Sequence, residues 1–345
     1  MLDVHDKYML RAIELAELGR GKVSPNPMVG CVIVHDGIII GEGYHEYYGG
    51  PHAEPNAIRA VQNPDLIKTS TGYVSLEPCA HWGKTPPCAN LLLDVGIKKV
   101  VIGAVDSNPL VGGKGIQILQ KAGIEVISGV LNEKVRAQNV RFFTFMEKKR
   151  PYIILKWAQT LDGFVARENY DSKWISNPYS RQLVHKWRSE EDAIMVGTLT
   201  AQYDNPKLNV RDWTGENPIR VVIDRHLKLN QELFLFDGTQ HTLCYNQEKD
   251  ELGPQSEKVR LKEAFDLEDI LEDLYKRKIQ SLIVEGGAQV LKKFIDKELW
   301  DEARVFTGNI AFGKGIPSPV ISGQVGKQYD IQGDLLTIWH PKPKR

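Results

Sequence analysis

His52, Glu54, Cys79 and Cys88 are the residues of this 345-residue chain whose types and spacing most directly imply chemistry. His52-Ala53-Glu54 is followed by Pro78-Cys79 and then by Cys88. One imidazole and two thiolates make a three-ligand zinc set. The fourth tetrahedral position is then free for water, as a catalytic site requires. Zinc acidifies such a water toward neutral pH. Glu54 reaches the same place from the start of a helix, and a carboxylate there can carry a proton from the water to a leaving amine. Two competing arrangements stand beside this one: a closed structural site with His81 as fourth ligand, or two unrelated buried thiols. A structural site has no use for Glu54. Both ligand segments fall at predicted helix starts, where the positive end of the peptide dipole favours thiolate and hydroxide.

The H-x-E and P-C…C arrangement is similar to the signature of zinc nucleobase deaminases. Most of those have two residues between the cysteines. Here eight intervene, in PCAHWGKTPPC, and they set Ala80, His81, Lys84 and Thr85 beside the metal. A cation there suits a substrate with a phosphate or a polarised carbonyl; the alternative is a solvated loop lysine.

Hydrophobic period and turn chemistry indicate the elements that must position these groups. Tyr8 to Leu18 is helical by the spacing of Met9, Ile13 and Ala16, and SPNP ends it. MVGCVIVHDGIIIGEGYH is two apolar runs joined by Asp36-Gly37, a hairpin signal. A helix starts near His52, GYVSLEP is a strand, and PPCANLLLDVG is a helix closed by glycine. KKVVIGAV and IEVISGV are strands with the helix IQILQKAG between them. The charged run EKKRP, with Pro151 disfavouring helix before it, marks a boundary. The domains are read as 1–147 and 148–345. The second has strands at YIILKWA, DAIMVG, IRVVIDR, HTLCYN and SLIVEGG, and helices in NPYSRQLVHKWRS and FDLEDILEDLYKR. Both halves are therefore α/β, with helices covering a sheet. Gln231 to Ala264 is hydrophilic and is read as surface elements without assigned function. Cys31 and Cys244 lie in apolar strands and are read as small core residues. The tail HPKPKR is read as a solvated terminus.

LIVEGGAQVLKKF is an apolar strand, a diglycine and a helix start. Backbone N–H groups at such a start favour phosphate. It is not the GxGxxG fingerprint, which argues against a Rossmann domain.

Composition narrows the partners. The chain has 44 basic and 44 acidic residues. The first 147 residues carry 14 and 15 respectively, a net of −1. Nucleic-acid binders usually have a basic surplus. No apolar run is long enough to span a bilayer. The charged N-terminus lacks the apolar core of a secretory signal, so a cytoplasmic protein is expected. Four cysteines do not make a disulfide scaffold; in a reducing compartment they more often bind metal.

SPNPMVGCVIV, HAEPNAI, LEPCAHWGKTPPC and VDSNPLVGGKGI resemble the deaminase half of the bifunctional deaminase/reductase family of riboflavin biosynthesis, over roughly residues 1–147. LKWAQTLDGFVA with the following WIS, MVGTLTAQYDNPKLNVR and LIVEGGAQVLKKF resemble its reductase half, from about Pro151 through Phe312. The resemblance implies a cytidine-deaminase-like α/β/α sandwich followed by a dihydrofolate-reductase-like α/β domain. It implies deamination of a diaminopyrimidinone ribosyl phosphate, then NADPH-dependent reduction of the ribosyl group to ribityl. It makes His52, Cys79 and Cys88 the zinc ligands and Glu54 the proton donor. Asn26, His45, His81 and Lys84 match pyrimidine-pocket positions, and Asp106 and Asn108 match ribose-phosphate contacts. Asn26, Asp106 and Asn108 also read simply as turn residues. Two departures stand out: Ser107 where the family usually has proline, and GGKG where it often has GGG.

In the second half the resemblance assigns Ala158, Trp174, Thr200, Asp204 and the run Gly287, Ala288, Gln289, Val290, Leu291, Lys292 and Lys293 to the cofactor. It assigns Ser172, Arg188, Leu208, Arg211 and Glu285 to the substrate. Two arginines suit forked recognition of a ribose phosphate. Trp174 as a packing aromatic and Arg188 as a helix-surface residue remain open alternatives. Lys156 is a further candidate near the substrate, and Asp162 is read as shaping a turn. The resemblance implies a homo-oligomer. The competing function is a nucleic-acid deaminase with an accessory domain, which neutral charge opposes. A non-catalytic second domain is a third.

Overall fold

The computed structural model describes residues 3–80, 86–108 and 111–343. The chain divides into two compact units, 1–149 and 150–345.

In the first unit Asp36 and Gly37 take positive φ, 45° and 78°, and turn strand β1 (Gly30–His35) back onto β2 (Ile38–Tyr44). Strands β3 (Thr71–Leu76), β4 (Lys99–Ala104) and β5 (Glu125–Ser128) complete a sheet of order β2-β1-β3-β4-β5. β1 is antiparallel to both neighbours, and the other pairs are parallel. Alternation along β1 sends Cys31 and Ile33 to one face, Val32 and Val34 to the other. The first face is covered by α2 (Ala53–Arg59), α3 (Cys88–Asp94) and α4 (Lys114–Lys121) through Ala53, Ala57, Leu92 and Leu119. The second is covered by α1 (Val4–Glu17) through Tyr8, Met9 and Leu15. Helices α5 (Asn132–Gln138) and α6 (Val140–Lys148), which the sequence reading does not contain, add Val135, Phe142 and Phe143 beside Ile13 of α1. The result is an α/β/α sandwich.

Helix α2 lies unusually close to β2. A Cβ on Gly43 would stand 2.3 Å from the Ala57 nitrogen, and one on Gly41 would stand 2.4 Å from the Ala57 oxygen. Only glycine admits that approach.

The second unit is built, among the described residues, on a ten-stranded sheet and a small two-stranded one. In chain order its elements are β6 (Tyr152–Thr160), β7 (Phe164–Ala166), α7 (Pro178–Glu190), β8 (Ala193–Gly197), α8 (Thr198–Asp204), β9 (Ile219–Ile223), β10 (Thr242–Asn246), β11 (Glu251–Leu252), β12 (Ser256–Arg260), α9 (Leu267–Lys276), β13 (Ser281–Glu285), α10 (Ala288–Asp296), β14 (Glu302–Gly308), β15 (Ile316–Pro317), β16 (Gln324–Ile331) and β17 (Asp334–His340). The main sheet has order β11-β12-β10-β9-β8-β13-β6-β14-β17-β16. It is parallel from β12 to β14 and antiparallel at both margins. Leu267, Ile270, Leu271 and Leu274 of α9 and Leu291 and Phe294 of α10 share one core with Leu155, Met195, Val221 and Val284 of the sheet. Helix α7 opens with Asn177, whose side chain accepts from Ser180 N, and with Pro178 at its first position.

One expectation is corrected. Gln231 to Ala264 is not only surface: β10 is buried along its whole length between β9 and β12. Its polar members Thr242 and Asn246 are satisfied locally, by the Leu235 oxygen and by the Cys244 and Val259 oxygens. Cys31 and Cys244 are buried, as expected. No helix among the described residues is long and apolar enough to cross a membrane.

Candidate zinc site and reductase cleft

The carboxyl ends of β2 and β3 deliver the metal-ligating segments. His52 is the extended residue just before α2, Cys79 follows β3, and Cys88 opens α3. Their ligand atoms all lie within 4.8 Å of one another. His52 Nδ1 is 3.3 Å from Cys88 Sγ and 3.7 Å from Cys79 Sγ. The Cys88 backbone N–H also points to Cys79 Sγ at 3.3 Å. Hydrogen bonding with the Cys88 thiol, and with His52 behind it, draws Cys79 down to about 4, while hydrogen bonding to Cys79 and burial push Cys88 up. Hydrogen bonding to Cys79 raises His52 against the opposing effect of burial. Two soft sulfurs and one imidazole at this spacing fit zinc, with a coordination position left over.

Glu54 sits in the first turn of α2 and is 3% exposed. Burial raises its pKa above the ordinary carboxylate value. A carboxyl poised in this way can both accept and return a proton. Beside it, His45 is held by two bonds: Nδ1 to the Pro51 oxygen at 2.9 Å and Nε2 to Asn26 Nδ2 at 3.1 Å. The His45 and His52 rings meet edge to face, 5.3 Å apart. Asn26 and His45 are therefore brought together next to the ligand set. Burial pushes Asp106 up to about 6, and its carboxylate accepts from Asn108 N at 2.7 Å. His81 and Lys84 lie outside the described residues.

The second unit contains a cleft of about 920 Å³ at the carboxyl edge of its parallel strands, where open α/β sheets bind ligands. Glu285, the last residue of β13, receives Arg188 of α7 in a fork: Nε to Oε1 at 3.0 Å and Nη2 to Oε2 at 2.8 Å. Lys156 of β6 approaches Glu285 Oε2 at 3.8 Å. Burial alone would raise Glu285, but Arg188 and Lys156 outweigh it and hold the carboxylate near about 2. Burial lowers Lys156. After Glu285 come Gly286 and Gly287, with φ of 79° and 66°, and then α10. A Cβ on Gly287 would stand 3.0 Å from Thr200 Oγ1.

The comparisons with known proteins agree for both halves. Residues 151–339 match the family described as the RibD C-terminal domain. Residues 2–104 match the cytidine and deoxycytidylate deaminase zinc-binding region. The riboflavin biosynthesis protein RibD of Aquifex aeolicus is 39% identical over 91% of this chain and 89% of its own. That of Escherichia coli (strain K12) is 36% identical, covering 87% and 86%.

The chain belongs to the RibD family.

The structure of a diaminohydroxyphosphoribosylaminopyrimidine deaminase/5-amino-6-(5-phosphoribosylamino)uracil reductase from Thermotoga maritima is 40% identical, with a TM-score of 0.90 over 98% of this chain and 99% of its own. Acinetobacter baumannii RibD is 34% identical, with a TM-score of 0.91 over the same shares. Like RibD, the chain joins a zinc-binding deaminase domain of cytidine-deaminase type to a reductase domain, and it is a bifunctional enzyme of riboflavin biosynthesis. This favours the RibD reading over a nucleic-acid deaminase.

Of the residues the resemblance assigns to the cofactor, Ala158, Trp174, Thr200, Asp204, Gly287, Ala288, Gln289, Val290, Leu291 and Lys293 line the cavity. Ser172, Arg188, Leu208, Arg211 and Glu285 line it too. Lys292 does not; its amine bonds Asp296 one turn along α10. Ser172 and Asp204 are one unit, the hydroxyl donating to both carboxylate oxygens at 3.2 and 3.3 Å. Trp174 is 62% exposed, with the Arg181 guanidinium 4.5 Å from its ring, so it does not pack in a core. Arg188 is 9% exposed and is not a helix-surface residue. Asp162 sits between β6 and β7, and its carboxylate accepts from Phe312 N and Gly313 N, far along the chain.

Two residues escape the sequence reading. His185, one turn before Arg188, is buried; its Nε2 lies 3.3 Å from Asp212 and its Nδ1 accepts from Arg211 N. Burial, then Arg188 and Arg211, lower it to about 4. Glu77, directly before Pro78-Cys79, is also buried. No sequence signal separates either from a surface residue, because their partners are far along the chain.

Proposed function

We propose that the first unit deaminates 2,5-diamino-6-(5-phosphoribosylamino)pyrimidin-4(3H)-one and that the second reduces the ribosyl group of the resulting 5-amino-6-(5-phosphoribosylamino)uracil to ribityl with NADPH. The observation that carries this is the three-ligand set with buried Glu54 beside it. Such a set has a place for water and a proton carrier, which hydrolytic loss of an amine requires.

His52, Cys79 and Cys88 would hold zinc, which would acidify a bound water. Glu54 takes the proton and returns it to the departing amine from its buried place in the first turn of α2. Asn26 and His45 orient the pyrimidine edge; their mutual bond fixes both side chains before substrate arrives. Asp106 and Asn108 serve the ribosyl phosphate, and His81 and Lys84 are assigned to the same pocket.

In the second unit the reduced nicotinamide supplies the hydride, and the protein orients the two carbons. The Gly286-Gly287 turn lets a dinucleotide phosphate approach the backbone at the start of α10. Ala158, Trp174, Thr200, Asp204 and the stretch from Gly287 to Lys293 form the cofactor side. Ser172, Leu208, Arg211 and the Arg188–Glu285 pair form the substrate side. Lys156, beside Glu285, is placed to hold or pass the proton that accompanies ring opening. A cytoplasmic homo-oligomer completes the reading, by family likeness.

A coupled assay tests it. Zinc-loaded protein is given the diaminopyrimidinone ribosyl phosphate while ammonia and NADPH are followed together. Both signals are expected from the unaltered chain, and no ammonia from Glu54→Gln. Ammonia without NADPH loss would overturn the second assignment; neither signal would overturn both.

A further inference from the structure

Glu77 is 4% exposed at the end of β3, two residues before a zinc ligand. Its carboxylate accepts backbone N–H groups from a segment 29 to 39 residues further on. Oε2 receives Asp106 N at 3.2 Å and Gly113 N at 2.9 Å, and Oε1 receives Ile116 N at 3.2 Å. Its own N–H donates to the Ala104 oxygen, which ties the end of β3 to the end of β4. A second observation lies on the other side of the same junction. A Cβ on Gly115 would stand 2.1 Å from the Pro78 oxygen and 3.3 Å from Glu77 Cγ. The start of α4 is thus pressed onto the chain that carries Cys79, and Glu77 fills the space between.

We infer that Glu77 is a positioning residue of the deaminase half, bracing the Asp106–Asn108 turn and the start of α4 against the Cys79 segment. The inference rests on the proposal that this turn serves the ribosyl phosphate. It also has a consequence for the phosphate itself. The Gly113 and Ile116 amides at the start of α4 are a natural anion site. They are already spent on a protein carboxylate, as is the Asp106 amide, so none of these three N–H groups serves the phosphate. Carboxylate bonds to backbone amides are charge-assisted and short of alternatives once buried, so the brace is stiff. It fixes the distance between the metal, where the amine leaves, and the turn, where the far end of the substrate rests.

The test compares Glu77→Gln and Glu77→Ala with the unaltered enzyme on two deaminase substrates, the ribosyl phosphate and the same compound without its phosphate. Zinc content and reduction of the deaminated intermediate are read on every sample. The unaltered enzyme is expected to prefer the phosphate form by KM. Glu77→Ala is expected to raise KM for the phosphate form by about tenfold, the effect of leaving buried amides unpaired. The same change should leave KM for the phosphate-free form nearly unaltered, so the preference collapses. Glu77→Gln keeps one accepting oxygen and should fall between. Zinc content and the reductase rate should stay unchanged. A retained preference in both variants overturns the inference. So does loss of zinc in Glu77→Gln with the reductase intact, since Glu77 would then merely hold the metal segment together. If the unaltered enzyme shows no preference for phosphate, the assignment of the Asp106–Asn108 turn fails first, and the inference with it.

Discussion

Arg188 and Glu285 meet as a forked ion pair, both side chains about one-tenth exposed, with Lys156 3.8 Å from the carboxylate oxygen that Arg188 Nη2 bonds. The carboxylate is the last residue of a central strand, and the guanidinium comes from the last turn of α7. Two cations and one anion therefore meet in the lining of the cleft. Removing one partner leaves the others uncompensated. Glu285→Gln is expected to destabilise the second unit by roughly 3–5 kcal/mol. Arg188→Met should cost less, because Lys156 still faces the carboxylate. Urea unfolding followed by a probe in the second unit measures both, and equal costs would show that Lys156 contributes nothing.

The same groups set the response to acid. His185 has its pKa lowered to about 4 from 6.5, so the unfolded chain binds its proton first as pH falls. Its contribution is complete above 6.5 and is lost as pH falls toward 4. Glu285 is depressed from 4.5 to about 2, so its contribution is complete above 4.5 and is lost toward 2. Melting temperature of the second unit should fall in two stages. His185→Gln should remove the upper stage and leave the lower. A single transition below 4.5 in the unaltered chain would contradict the first.

Glu54→Gln keeps the side chain's size and removes its proton traffic. The deaminase rate should drop by about 10² to 10⁴-fold, the usual worth of a general acid–base group. Zinc content should be unchanged, and so should reduction of the deaminated intermediate. Loss of zinc would mean that the residue serves the metal and not the reaction.

Chelation separates the halves in another way. Stripping zinc should end ammonia release while NADPH oxidation on the deaminated intermediate continues. The first unit should also melt at lower temperature, since bound metal stabilises the fold that holds its ligands. A parallel loss of both activities would show that the metal supports the reductase as well.

The chemistry of the first half is legible in the sequence because its key residues are packed into short segments at helix starts. His52 and Glu54 share one turn, and Cys79 and Cys88 flank one loop. The hairpin at Asp36-Gly37 announces itself through turn chemistry. Strands β1, β3 and β4 read as apolar runs because they are buried on both faces, whereas the margin strands β2 and β5 are partly exposed. What the sequence conceals is whatever depends on distant partners. Glu77 looks like a charge before a proline until its amide partners arrive from beyond residue 105. His185 looks like a helix-face residue until Arg211 and Asp212 fold over it. Strand β16 is exposed through nearly all of its length, so no buried period marks it. Ser172 and Asp204 carry separate roles by resemblance, yet they are hydrogen-bonded to each other.

Gly41 and Gly43 set a thickness. With no side chains there, α2 rests on the backbone of β2, and the height of that helix decides how deep Glu54 sits relative to the sulfurs. The pocket floor is thus gauged by two missing methyl groups. A single carbon added at position 43 would act as a shim, lifting the proton carrier away from the metal ligands without touching any of them. Loss of activity with an intact donor set can therefore originate in a strand that contributes no reactive atom.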